Sequence, residues 1–461
     1  MRQKSAKLSR KAIPRSSRFI VFLTVAALLG IPAAAARVLC LGKACAVQAT
    51  SESKAPFCSL PPSLRTSIAN GFYEGRSPEL IAVAGSEPVR GSVPPAGAAY
   101  LVPGISASSD DEAPIVFFGS GVVGSGAIAD PVSLDDIAPT IASIIGLERP
   151  HPEVRSGTAI GGVSKGDRPR LVIQVIWKGI GSADLSDDPG AWPVLKNALA
   201  EGAGTLAGGV GSLPADPAAV VTTIGSGAVP SQHGITGASI RAESGRLTKA
   251  WSKGAPDTVI ATLGDDLDEL LDQEPLIGLV ANERTDRGAI GRDWYGVFGD
   301  QDRDSVEILP PDRGPGAVAS AAIQEMNRAP YGADETPDLL AVSSSGSVAQ
   351  LDRALGRLIE AAKDEEVAFV VAGTGSLGPS SSGAVEAREV VDELEGQVEV
   401  SEAVIEAATP AGFFLDQATL VDTGTSADSL LGELLELRNP AGGALFVDAF
   451  PDRAITFGEY C

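Results

Sequence analysis

Residues 171–181 read LVIQVIWKGIG, residues 195–205 read LKNALAEGAGT, and residues 214–237 read PADPAAVVTTIGSGAVPSQHGITG. The run Leu171 to Ile176 is apolar but for Gln174 and is followed within three residues by glycine, which predicts a short strand buried on both faces. The second stretch closes a helical pattern over Trp192 to Glu201. Working outward, similar runs predict strands at Leu80 to Ala84, Ile115 to Phe118, Leu276 to Val280, Leu339 to Val342 and Val367 to Ala372. Amphipathic patterns predict helices at Asp135 to Ile145, Val348 to Lys363 and Ser426 to Leu437. Doubly buried strands alternating with helices define an α/β fold, a mixed or mostly parallel sheet covered by helices on both faces.

At 461 residues the chain is long enough for two or three domains, and its 44% hydrophobic content argues against disorder despite 53 glycines and 32 prolines. The net charge is −23, while Arg2, Lys4, Lys7, Arg10, Lys11, Arg15 and Arg18 make the first 18 residues wholly basic, so the remainder carries −30. Such a body repels nucleic acid and anionic membrane surfaces. With only two histidines, His151 and His233, the chain cannot build a multi-imidazole zinc site.

The uncharged run Phe19 to Ala36 behind the basic leader reads as an export signal. It is either cleaved near Ala33 to Ala36 or retained as an anchor, the only contact with a membrane, and the positive-inside rule places the body outside the cytoplasm. The four cysteines, Cys40, Cys45, Cys58 and Cys461, all follow that run; an even number in an exported chain favours disulfides, with three possible pairings. The expected organisation is a signal segment at 1–37, a polar linker at 38–62, a segment at 63–160, a Gly/Ser-rich junction at 161–169, and a segment at 170–461.

The order strand, helix with Leu-Ala-Glu-Gly near its end, then Ser226 to Ile235 reading SGAVPSQHGI resembles the opening of the alkaline phosphatase superfamily, in particular its phosphodiesterase and nucleotide pyrophosphatase branch. The likeness continues in TPDLLAVSSSG (336–346), LDRALGRLIEAA (351–362) and VAFVVAGTG (367–375). Residues 70–83, 113–126 and 131–150, by contrast, resemble the end of such proteins. The order is inverted, and joining residue 461 to about residue 59 restores it, so the resemblance implies one circularly permuted domain. In that order Cys461 runs almost directly into Cys58, which implies a Cys58 to Cys461 disulfide and leaves Cys40 and Cys45 to pair locally.

The family's chemistry implies two divalent metals such as zinc, held by carboxylates and imidazoles at strand ends. Here the first aspartate position holds Trp177 and Lys178, the nucleophile position holds Pro217, the Ser-Asp-His-Gly turn reads Ala372, Gly373, Thr374, Gly375, and the late His-Gly-Ser turn falls at Pro103. An Asp to His ligand loop is missing between Ser345 and Leu351, and Trp177 and Lys178 are expected to face the vacated cleft. Thr222 and Thr223 belong to the following helix, His233 closes a turn, His151 is a surface residue, Asp135 and Asp136 cap a helix, and Asp110 to Glu112 form a solvated loop.

The expected protein is therefore an extracytoplasmic binding or scaffolding module without catalysis, with no cofactor and an unidentified partner. The alternative is a metal-dependent phosphoric ester hydrolase drawing carboxylates from Asp184, Asp187, Asp188 or Asp216, or a receptor whose Lys178 holds an anion.

Overall fold

In the computed structural model the described residues are 56–84, 112–119, 121–128, 131–272, 274–296, 304–362, 366–376, 387–397, 403–438, 442–458 and 461, with backbone strands at 38–41, 44–47, 89–92, 99–101, 105–106 and 385–386. Two compact units are present, Met1–Ala55 and Pro56–Cys461. In the first, the strands Val38–Leu41 and Ala44–Val47 pair antiparallel with Cys40 opposite Cys45.

An eight-stranded sheet organises the second unit. Its order is Ser305–Ile308, Ile277–Ala281, Asp338–Ser345, Leu171–Lys178, Val367–Gly373, Glu112–Phe118, Ala203–Gly209, Gly126–Ala127. The first five strands run parallel, and Glu112–Phe118 lies antiparallel to both of its neighbours. Every residue of Leu171–Lys178 is buried. The two-residue period divides the strand between two cores: Leu171, Ile173, Val175 and Trp177 enter one and Val172 and Ile176 the other. Helices Ile137–Ile145, Pro217–Ser226 and Leu263–Leu270 contribute to the core on one face, and Pro193–Glu201, Pro315–Arg328 and Val348–Ala361 to the core on the other. This is the expected α/β arrangement with both sheet faces covered.

The two long sequence segments interleave. Glu112–Phe118, from the first, sits between two strands of the second, and Phe118 stacks on Phe369 with ring centroids 4.9 Å apart. In a second, smaller sheet Leu80–Ala84 lies between Gly412–Leu415 and Phe446–Pro451, antiparallel to each. Neither segment completes either of these two sheets alone.

The stretch 38–62, expected as a linker, carries regular or buried structure towards both ends. Residues 38–41 and 44–47 are paired strands, and Phe57 is buried in the core of the second unit against Phe450, with centroids 5.1 Å apart. Phe57 N–H and the Ser59 hydroxyl both donate to Asp448. Gly458 is required beside them, since a Cβ there would lie 2.2 Å from the Phe57 ring. The junction at 161–169 is a loop, pinned by the Val163 carbonyl, which accepts from Gly124 N–H. Cys58 and Cys461 are disulfide-bonded with their Cα atoms 5.2 Å apart. Among the described residues no helix is long and apolar enough to cross a membrane; the run Phe19 to Ala36 lies outside them.

Candidate functional site

In a parallel α/β sheet the carboxyl ends of the strands are where ligand-binding groups collect. Here those ends present Lys178, Ser343 to Ser345, Gly373 and Thr374, beside the turn Arg284–Ala289 and the start of helix Pro217–Ser226. The Lys178 ammonium is buried; it donates to Asp286 Oδ2 at 2.8 Å and lies 3.4 Å from Glu283 Oε2. Burial pushes the Asp286 carboxyl above its usual range, and the neighbouring Lys178 charge opposes that shift. Held in this way, Lys178 is not free to take up an anion. Nothing in the sequence run NERTDRGA (282–289) marked its two carboxylates in advance, although a buried lysine demands such partners.

Trp177 departs from expectation. It is fully buried and its backbone pairs with Gly373, but strand alternation turns the indole to the opposite face from Lys178, among Ile180, Leu185, Trp192 and Leu195. Among the described residues its ring N–H has no hydrogen-bond partner. Adjacent residues on one strand cannot both face one cleft.

Gly373 and Thr374 form a packed turn. A Cβ on Gly373 would stand 2.2 Å from the Ile180 carbonyl oxygen and 2.7 Å from Pro114 Cδ, so no carboxylate side chain fits there. The Thr374 hydroxyl accepts from Gly179 N–H at 2.8 Å, and Thr374 N–H donates to the Trp177 carbonyl. Val210 and Ala215 lie over Gly375.

Pro217 occupies the first turn of its helix, where a missing N–H costs nothing, and the Asp216 carboxylate accepts from Ala218 N–H as the N-cap. Burial pushes Asp216 up to about 6. Thr222 Oγ1 donates to the Ala218 carbonyl, and Thr223 Oγ1 accepts from His233 Nε2 at 3.1 Å, since His233 Nδ1 accepts from Ile235 N–H. Both hydroxyls are internal to the core. His233 thus locks the turn after the helix, and burial, with a smaller contribution from Arg76, lowers its pKa to about 3.

That shift carries a sign. A histidine held neutral in the fold but free to protonate near 6.5 when unfolded makes stability fall as pH drops from about 6.5 toward 3. Asp216 acts oppositely: between about 4 and 6 only its unfolded form is ionised, so its contribution falls as pH rises. Subtracting the stability profile of His233→Gln from that of the parent, by urea unfolding at successive pH values, is expected to leave a curve that rises with pH up to about 6.5 and is flat above it. A difference independent of pH would show that the imidazole titrates normally in the fold.

The remaining candidates do not join the site. His151 is exposed in a left-handed conformation, 3.3 Å from Glu153. Asp136 accepts from the N–H groups of Ser133 and Thr158, and Asp135 accepts from the Ser133 hydroxyl, which is capping. Asp184 accepts from Gly181 N–H, and Asp187 and Asp188 are exposed. Among the described residues no three His, Cys, Asp or Glu side chains form a set able to hold a metal. Glu112 begins a strand; Pro103, Asp110 and Asp111 lie outside the described residues.

No family model matches the chain, and no curated protein matches it. Among solved structures, wild-type alkaline phosphatase PafA is similar with a TM-score of 0.42 and 14% identity over 59% of this chain and 76% of that one. A mutant of the same enzyme gives 0.41 and 13% over 59% and 77%.

Proposed function

We propose that the chain is an extracytoplasmic, circularly permuted relative of the alkaline phosphatase superfamily that has no metal-dependent chemistry and serves as a binding or scaffolding module. The observation that carries this reading is the Lys178 to Asp286 ion pair at the central strand end, where the resemblance calls for the first carboxylate ligand. A two-metal centre needs several anionic or imidazole donors around that point. At the positions where the resemblance calls for ligands stand an ammonium, a glycine hemmed in by Ile180 and Pro114, a hydroxyl bound to a backbone N–H, and a proline, and the nearby Asp286 and Glu283 carboxylates are already paired with Lys178. This donor set does not fit two divalent ions.

The permutation is supported by the interleaved strands of the two segments and by Cys58 and Cys461, whose bond rejoins the ends that the permutation separates. Export is supported by the basic leader, the uncharged run after it and the cysteines beyond. The −30 body argues for partners other than nucleic acid.

The test is hydrolysis of aryl phosphate monoesters and diesters by the purified body with zinc or manganese supplied. The expected result is no turnover above background. Turnover abolished by a single substitution at Asp216 or Glu283 would overturn the proposal and establish a phosphoric ester hydrolase with a rebuilt site.

A further inference from the structure

Three elements bring polar groups together beneath the central strand end: Lys178 closes Leu171–Lys178, Ser343 lies near the end of Asp338–Ser345, and Glu283 and Asp286 follow Ile277–Ala281. The side chains of Lys178 and Asp286 are 3% and 1% exposed, while Glu283, at 37%, connects the group to solvent. Asp286 Oδ2 accepts from the ammonium, but Asp286 Oδ1 is buried and has no hydrogen-bond partner among the described residues. The buried Ser343 hydroxyl, also without a hydrogen-bond partner among the described residues, opposes the upward shift that burial gives this carboxyl. Asp216, at the start of the neighbouring helix, is close enough to Glu283 to feel its charge.

A buried carboxylate of this kind needs a cation, and removing one partner of a buried pair is far more costly than never having built it. We infer that the Lys178 ammonium is the resident cation of this cluster, supplied by the chain itself, and that the cluster becomes a divalent-cation site once the ammonium is removed. Without Lys178, Asp286 and Glu283 face a space that has lost its only basic group among the contacts just described, with a spare carboxylate oxygen and a hydroxyl beside it. Hard divalent ions take such oxygen ligands and leave remaining positions to water. The inference rests on the reading that the natural chain holds no metal here.

The experiment compares the unaltered body with Lys178→Ala and with Lys178→Ala/Asp286→Asn, each titrated with manganous ion and followed by urea unfolding and by bound manganese. For Lys178→Ala the folding equilibrium constant is expected to fall without the ion, and to rise about tenfold when free ion reaches about ten times its dissociation constant, with one ion per chain. The unaltered body and the double variant are expected to change less than about twofold. If Lys178→Ala does not fold alone, refolding only with manganese upholds the inference. A Lys178→Ala chain as stable as its parent, or one indifferent to manganese, overturns it, as does a double variant that fails to fold. Failure of the parent reading looks different: the unaltered body would itself bind manganese and turn over a phosphate ester.

Discussion

Serine at either Cys58 or Cys461 is expected to cost about 3–5 kcal/mol of folding stability. The bond spans 403 residues of sequence, and in the chain-entropy model a closed loop of that length is worth roughly 6 kcal/mol, of which real disulfides commonly deliver less. Either substitution breaks the same bond, so the single variants and the double variant should lose the same amount, a departure from additivity that identifies the pair. Urea unfolding of the body under non-reducing conditions, with and without each substitution, reads the effect. Losses that simply add, or a Cys461→Ser variant as stable as its parent, would mean that the ends are held by packing alone. The contacts around the bond, Phe57 on Phe450 and Ser59 on Asp448, then set the size of what remains.

The second large effect is expected at Asp266. This carboxylate is wholly buried and accepts from Arg149 Nε at 2.6 Å, Arg155 Nη2 at 3.2 Å and the Tyr295 hydroxyl at 2.6 Å. Burial lowers the Arg149 pKa, and the Asp266 charge works against that shift. Asp266→Ala would leave two guanidinium groups in the interior without their anion, an expected loss of about 3–5 kcal/mol. Asp266→Asn keeps an acceptor for one of them and should lose less. Arg149 and Arg155 come from the first long segment, and Asp266 and Tyr295 from the second, so the substitution also weakens the join between the two. A loss below about 1 kcal/mol, the range of surface ion pairs, would show the cluster to be hydrated.

The framework was readable because buried strands advertise themselves. Leu80–Ala84 has the expected limits, and Leu171–Lys178 runs two residues further than its apolar stretch. It does so because Trp177 and Lys178 still pair with Ser344 and Ser345, a matter of neighbouring strands and not of local hydrophobicity. The site was less legible. That Pro217, Gly373 and Thr374 carry neither a carboxylate nor an imidazole is visible in the letters, but the direction of Trp177 follows from strand pleat, which a motif comparison ignores. Asp286 and Glu283 were missed because ion pairing across more than a hundred residues leaves no local pattern. The buried Phe57 lay hidden in a polar stretch whose composition reads as linker.

The proposed absence of metal chemistry is tested most directly by metal content. The purified body, residues 56–461, is to be exposed to excess zinc, freed of unbound ion and analysed for zinc per chain. Far less than one equivalent is expected, because Lys178 already neutralises the carboxylates at the central strand end and no side chain fits at Gly373. Two equivalents of zinc per chain, retained through exhaustive dialysis, would contradict it.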